Sequence, residues 1–344
     1  MKPGKLPPDL LAELLSRLPG GDPRVLVGPR VGEDAAVIEF EDALPGRRAG
    51  RLLVAKTDPI TFATDLIGWY AVNVNANDIA TMGAEPRWFM GALLLPESAD
   101  EAAAAAIFDQ IAEACRALGV TAVGGHTEVT IGLDRPILVG CMLGEAERDR
   151  LVTSSGARPG DVLILTGGIA IEGTALLARE VGEELIARGM AAEAVAQAGE
   201  LLLSPGISVV PAARAAMAAG GITALHDPTE GGLATGLREL GAASEVGLEA
   251  NAEAITVLPL TRQVCTLLAL DPLGLIASGA LLVAARPEAA EATLASGREA
   301  GVDAAIIGRV LPKAEGLWLV TAGDRRPLPE FARDEVARLL EGRK

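Results

Sequence analysis

The feature that most constrains this chain is an alternation of short apolar segments with longer helical ones, run through twice and interrupted once by a polar stretch. RLLVAKTD (51–58) reads as a strand with a polar end, and 65–82 as a helix stopped by Gly83 and Pro86. Residues 88–96 form a second strand pattern, and the alanine-rich 99–118 a second helix ended by Gly119. Residues 120–129 and 137–146 follow as strands joined by a turn at Gly132-Leu133-Asp134. This order fits an α+β layer, one sheet covered on one face by helices. ERDRLVTSSGARPGD (147–161) is polar and turn-rich, so the domain boundary is placed near residue 150, giving domains 1–150 and 151–344. Beyond it come a strand at 162–168, a helix at 172–188, a strand at 222–226, a helix at 231–246, strands at 253–258 and 280–284, a helix at 287–300 and an amphipathic helix over 329–344. A length of 344 residues suits two compact domains.

Charge narrows the partners. A formal charge of −16 with no Lys/Arg cluster disfavours nucleic acid. An acidic chain that handles phosphates neutralises them locally, which divalent cations held by carboxylates can do. No run approaches the roughly 20 apolar residues of a membrane span, and MKPGKLPPDL lacks a signal-peptide core, so a soluble, cytoplasmic protein without membrane contact is expected. Cys115, Cys141 and Cys265 are far apart and flanked by apolar residues, as small core residues are.

Three of the four asparagines, Asn73, Asn75 and Asn77, fall within five residues of the otherwise apolar 65–82 helix, where asparagine is a poor interior residue. Asn75, Asp78 and Thr81, spaced i, i+3, i+6, form one polar stripe; the alternative is that the asparagines are solvated or cap loops. The only histidines, His126 and His226, sit in the segments GGHTE (124–128) and HDPTEGG (226–232), where each is either structural or chemical. Asp34, in Gly32-Glu33-Asp34, and Asp58, in Lys56-Thr57-Asp58, stand at strand ends beside small residues. With Asp78 they form a candidate magnesium set, although each alone could equally be an Asx turn or N-cap. TGGIAIEG (166–173) and HDPTEGG lead from strands into helices and could offer backbone N–H groups to an anion.

VGEDAAVI (31–38), KTDPITF (56–62), NANDIATMGAEP (75–86), VGGHTEV (123–129), PGDVLILTGGIAIEG (159–173), HDPTEGGLATGLREL (226–240), DPLGLIASGALLVA (271–284) and IGRV (307–310) resemble, in order and spacing, the blocks of the PurM-like superfamily. This superfamily includes aminoimidazole ribonucleotide synthetase, thiamine-monophosphate kinase, selenophosphate synthetase and the HypE-type hydrogenase maturation proteins. HDPTEGGLATGL and DPLGLIASGALL look most like the last. The resemblance implies a two-domain protomer whose N-terminal α/β domain dimerises by joining sheets into a β-barrel, with a C-terminal α/β domain beside it. It implies ATP and Mg2+ as cofactors, the metal on Asp34, Asp58 and Asp78. Nucleotide contacts would come from Lys56, Thr57, Asn75, Gly124, Gly125, Thr127, Gly167, Gly168, Asp227, Thr229, Gly231 and Gly232. His126, Glu128 and Asp78 would serve the chemistry, which is phosphorylation of a carbonyl or amide oxygen to permit displacement or dehydration. A small carbamoyl- or amide-type substrate, a homodimer and a maturation-type protein partner are implied alongside. Two departures stand out. HypE-type proteins end on a cysteine that receives the carbamoyl group, whereas this sequence ends Glu341-Gly342-Arg343-Lys344, so a HypE-like paralogue acting on another substrate is expected. His126 stands where several members place a carboxylate, and imidazole is a poor magnesium ligand. The alternatives are a nucleotide-binding partner that has lost the chemistry, and a small-molecule kinase.

Overall fold

A computed structural model describes residues 8–19, 22–40, 51–61, 63 and 65–341, which form two compact units. One comprises residues 20–29 and 34–151, the other 1–19, 30–33 and 152–344. The last residues of the expected C-terminal helix, and Phe62 of the KTDPITF block, lie outside the described residues.

The N-terminal unit carries one sheet of six strands: β1 (Val25–Val27), β2 (Ala36–Glu39), β3 (Arg51–Ile60), β4 (Glu85–Leu95), β5 (Thr121–Val129) and β6 (Ile137–Glu147), in the order β1-β2-β3-β6-β4-β5. All neighbours are antiparallel except β4 and β5. Following α1 (Pro8–Leu15), which belongs to the other unit, α2 (Ile67–Thr81) and α3 (Glu101–Leu118) supply the helical layer. Asp100 caps α3 by accepting from the Ala103 N–H at 2.8 Å, and Gly119 ends it in the left-handed conformation. Along β6 buried and half-buried residues alternate, the period of a sheet with one covered face. Gly140 and Gly144, four residues apart on that face, let α2 approach closely: a Cβ at Gly140 would run into the Asn75 amide, and one at Gly144 into Ile79.

The C-terminal unit is built on a seven-stranded sheet: β7 (Val162–Thr166), β8 (Ile222–His226), β9 (Gly247–Asn251), β10 (Leu281–Ala285), β11 (Ala304–Leu311), β12 (Leu317–Thr321) and β13 (Asp324–Pro327), ordered β13-β12-β9-β11-β7-β10-β8. Its helices are α4 (Ile171–Glu180), α5 (Gly182–Ala187), α6 (Ala192–Glu200), α7 (Val210–Ala219), α8 (Gly232–Ala243), α9 (Pro259–Leu268), α10 (Ala290–Glu299) and α11 (Glu335–Glu341). Leu163, Leu165, Leu233, Leu237, Leu248 and Leu282 are at most 2% exposed in its core, each contributing on the order of 2 kcal/mol by burial.

Two expectations need correction. The helix read over 172–188 is two, broken at Val181, where Gly182 admits the Val195 side chain of α6. The strand read at 253–258 lies instead at Gly247–Asn251; the later segment makes one isolated parallel bridge, Ile169 to Val257. The stretch Ala192–Ala219 is long and apolar enough on average to cross a membrane, but Ser204 is non-helical within it, Pro205 follows, and half of it is buried. It is a kinked helical layer of this unit.

Candidate active site

Strand parity sets the first half of the site. Leu52, Val54 and Ile60 of β3 point into the core, and Lys56 and Asp58 lie on the same face between them. Two charged residues therefore lie on the face that meets the helical layer, each still partly exposed. From α2 comes the complement: Asn73, Asn75, Asn77, Asp78 and Thr81 are all buried, Asn75 and Asn77 completely. The asparagines are thus not a solvated face.

Asn75 acts as a side-chain substitute for a neighbouring strand. Its Oδ1 accepts the Asp58 N–H at 2.9 Å, and its Nδ2 donates to the Asp58 carbonyl at 3.3 Å and to the Ala71 carbonyl at 2.8 Å. Asp58 is in register with Gly140 on β6, the glycine that makes room for this amide. Lys56 Nζ then lies 3.2 Å from Asp58 Oδ2 and 3.2 Å from Asp78 Oδ2. Thr81 supports Asp78 by donating its hydroxyl to the Asp78 carbonyl at 2.9 Å. One ammonium holds two carboxylates from different elements together, leaving the group a net negative charge.

Asp34 is also buried and lies in a bend just before β2, whereas Asp58 and Asp78, from β3 and α2, meet at Lys56. Thr57 points to the opposite face of its strand and donates to the Gly140 carbonyl at 2.7 Å.

The GGHTE segment lies elsewhere. Gly124, Gly125, His126, Thr127 and Glu128 are on β5, every residue of which is exposed, and β5 is three strands from β3, about 14 Å at ordinary strand spacing. Within one protomer, His126 and Glu128 do not join Asp58. His126 Nε2 is 3.1 Å from Glu128 Oε2, and Thr130 donates to Glu128 Oε1 at 2.9 Å. These hydrogen bonds, that from His126 foremost, hold the Glu128 carboxyl below its usual range. Gly125 has φ +153°, and a Cβ there would strike the Gly91 carbonyl of the parallel neighbour β4. Behind β5 an apolar cavity of about 240 Å³ is lined by Phe89, Leu93, Phe108, Ile111 and Leu138.

In the C-terminal unit the ends of β7 and β8 and the start of β10 share one edge of the sheet, Leu281 pairing with Thr166 and Leu282 with His226. The two glycine turns open there, yet several of their N–H groups are already engaged. Gly167 N–H donates to the Asp303 carbonyl at 2.7 Å and Ile169 N–H to the Thr256 carbonyl at 3.0 Å. Gly168 is packed under Leu258. Gly231 N–H donates to Asp334 Oδ2 at 2.7 Å, and Thr229 O accepts from Gly232 N–H at 3.0 Å. Asp227 is buried beside them, and His226 Nε2 lies 3.1 Å from Glu239 Oε2.

Sequence reasoning passed over three buried residues at this edge. Glu172, in the first turn of α4, receives hydrogen bonds from the hydroxyl and backbone N–H of Ser278. Burial above all, then the Asp334 and Glu230 charges, push its carboxyl up to about 7. Asp334 caps α11 through the Val336 N–H at 2.7 Å and is likewise pushed up to about 7, burial again leading. The available signal was a lone acid in the apolar run IAIEGTALLA.

Comparison with known proteins agrees with this two-unit build. Residues 32–146 match the N-terminal domain of AIR synthase related proteins and residues 158–318 their C-terminal domain. The chain is 32% identical over 291 residues to a carbamoyl dehydratase HypE of Cupriavidus necator, covering 82% of this chain and 78% of the relative. Among solved structures, a hydrogenase maturation protein HypE in complex with ATP superposes with a TM-score of 0.72 at 27% identity, over 87% of this chain and 90% of the other. A HypE–HypF complex gives 0.68 at 25% identity, over 87% and 93%.

Proposed function

The chain belongs to the AIR synthase related protein family, and on that premise we propose that it is an ATP-dependent enzyme that phosphorylates the oxygen of a carbamoyl or carboxamide group and so dehydrates it. The observation that carries the reading is the meeting of Asp58 and Asp78 on Lys56, with Asn75 fixing the Asp58 backbone. The likeness to carbamoyl dehydratases and to an ATP-bound HypE supplies the reaction class.

The donor set suits magnesium. Asp34, Asp58 and Asp78 offer hard oxygen ligands, two of them already drawn to a single cation. Magnesium bound there supplies neutralisation of charge on the transferring phosphoryl group. The chain's own part is positional: Lys56 contributes a positive charge, Asn75 holds Asp58 in place, and Thr81 fixes the backbone of Asp78. Phosphoryl transfer asks mainly for such positioning and electrostatics. In balance, a carboxamide and ATP yield a nitrile, ADP and inorganic phosphate. ATP as co-substrate puts this reaction in the cytoplasm.

A homodimer completes the proposal. An exposed edge strand, with Val123 at 53%, Val129 at 62% and nearby Ile131 at 85% exposure, is the kind of edge that a second copy covers, and this would give His126 and Glu128 a buried setting. The solved HypE–HypF complex supports a maturation-type protein partner as well.

The test is Mg-ATP binding and turnover with a panel of carboxamides and carbamates. Asp78→Asn should abolish magnesium-dependent nucleotide affinity; unchanged affinity and turnover would reject the assignment. Phosphorus NMR separates the alternatives: inorganic phosphate supports dehydration, a new phosphoester marks a kinase, and binding without turnover marks a partner protein.

A further inference from the structure

Lys56 does more than add a positive charge, because its ammonium holds the same oxygens that a hard cation would take. Its Nζ is 3.2 Å from Asp58 Oδ2 and 3.2 Å from Asp78 Oδ2. The two carboxylates are fixed in place. Asn75 bonds both the N–H and the carbonyl of Asp58, and the Asp78 side chain is 7% exposed on a helix whose Thr81 hydroxyl donates to the Asp78 carbonyl. Lys56 is tied differently: its charge sits at the end of a flexible aliphatic stem, and its side chain is 22% exposed beside an Asp58 that is 38% exposed. Of the three groups, the ammonium is the one that can leave.

Charge decides when it leaves. An ammonium and a divalent ion on the same two oxygens repel each other at contact distance, so magnesium enters only as Lys56 withdraws. Free magnesium must therefore displace a tethered cation that gains no new anion in exchange. A triphosphate alone fares no better, since two carboxylates against one ammonium leave the group negative, and drawing the ammonium off would strand the buried Asp78 carboxylate. When both arrive, magnesium takes the carboxylates, Lys56 takes phosphate oxygens, and every charge keeps a partner.

We propose that Lys56 is a tethered counter-cation that closes this metal site to free divalent ions and opens it when magnesium comes with a triphosphate, to which its ammonium then transfers. The inference deepens the magnesium reading given above and rests on it. No covalent bond forms or breaks in the exchange. Metal and triphosphate bind with positive coupling as a result, each raising the affinity of the other by the same factor.

The full chain is tested with Mn2+, visible by electron paramagnetic resonance, in place of magnesium, and with AMPPNP as a triphosphate that is not hydrolysed. Without nucleotide, Lys56→Met should bind Mn2+ about tenfold or more tighter than wild type, whereas Lys56→Arg, which keeps the charge, should bind it as wild type does. Adding Asp78→Asn to Lys56→Met should remove that binding. A second measurement needs no stable variant of the gate itself. The chain has five lysines, so 13C-lysine labelling gives five side-chain signals, that of Lys56 being the one absent from Lys56→Met or moved by Asp78→Asn. In wild type it should hold its position with millimolar MgCl2 alone and with AMPPNP in EDTA, and shift when magnesium and AMPPNP are present together. Equal Mn2+ affinity in wild type and Lys56→Met, removed by Asp78→Asn in both, overturns the gate and keeps the magnesium site. A wild-type Lys56 signal that moves with magnesium alone, or stays put with both ligands, likewise overturns the gate. Mn2+ binding that survives Asp78→Asn, or no Mn2+ binding by any form with or without AMPPNP, overturns the magnesium reading itself.

Discussion

Replacing Asn75 by alanine should damage the N-terminal unit by an amount its hydrogen bonds predict. The change strips the Asp58 N–H of its acceptor and removes donations to the Asp58 and Ala71 carbonyls. The orphaned N–H dominates, at about 1–3 kcal/mol. The 3.3 Å contact to the Asp58 carbonyl adds little, and Ala71 is an in-helix acceptor. Alanine's better helix propensity returns about 0.5 kcal/mol. A net loss of about 2 kcal/mol follows, a fall of roughly 1 M in the urea midpoint at a slope typical for such domains. The comparator is Asn73→Ala, whose amide donates only to the Trp69 carbonyl of its own helix at 2.9 Å, so the same arithmetic gives a loss near zero. In a Trp318→Phe background the remaining tryptophans, Trp69 and Trp88, both lie in the N-terminal unit, so fluorescence reports that unit's transition alone. Equal midpoints for the two alanine variants would refute the bridging role of Asn75.

Lys56→Met leaves Asp78, 5% exposed, without its cation and should cost about 3 kcal/mol; millimolar MgCl2 should raise the melting temperature of this variant more than that of wild type, by differential scanning fluorimetry. Gly125→Ala puts a Cβ against the Gly91 carbonyl from a φ of +153°, so a stability loss of about 3 kcal/mol or more is expected, read by chemical unfolding; a neutral result would exclude the close β4–β5 approach. Glu172 and Asp334, pushed up to about 7, bind their protons more tightly folded than unfolded. Their contribution is therefore fully present below about pH 4 and is lost as pH rises to about 7, each adding a slope of up to about 1.4 kcal/mol per pH unit. Urea unfolding at pH 5 and 7.5 should show Glu172→Gln losing less stability over that interval than wild type.

Much of this was readable because each half writes its pattern in strong contrast. The strands at 51–58, 88–96 and 137–146 alternate or run apolar between Gly and Pro stops, and the structure places β3, β4 and β6 there. Contrast fails elsewhere. α7 is so rich in alanine that its apolar face is weakly marked, and β13, Asp-Arg-Arg-Pro, is an exposed edge whose residues resemble loop. At 245–258, EVGLEANAEAITVL offers two plausible strands; pairing with β11 and β12 selects the first, a long-range choice invisible locally.

The site divides along the same line. Asn75, Asp78 and Thr81 announced themselves because polar residues inside an apolar helix need a local reason, and strand parity alone puts Lys56 and Asp58 on one face. Glu172 gave no comparable sign. Its partner Ser278 and its acidic neighbour Asp334 lie more than 100 residues away, and each reads singly as a helix-start acid, a turn serine or a cap. What makes Glu172 unusual is a property of the assembly: three segments close over one carboxyl, supply donors to one side of it and none to Oε2. A one-dimensional reading finds residues that violate their local context, whereas an unmet hydrogen bond exists only once the chain has folded around it.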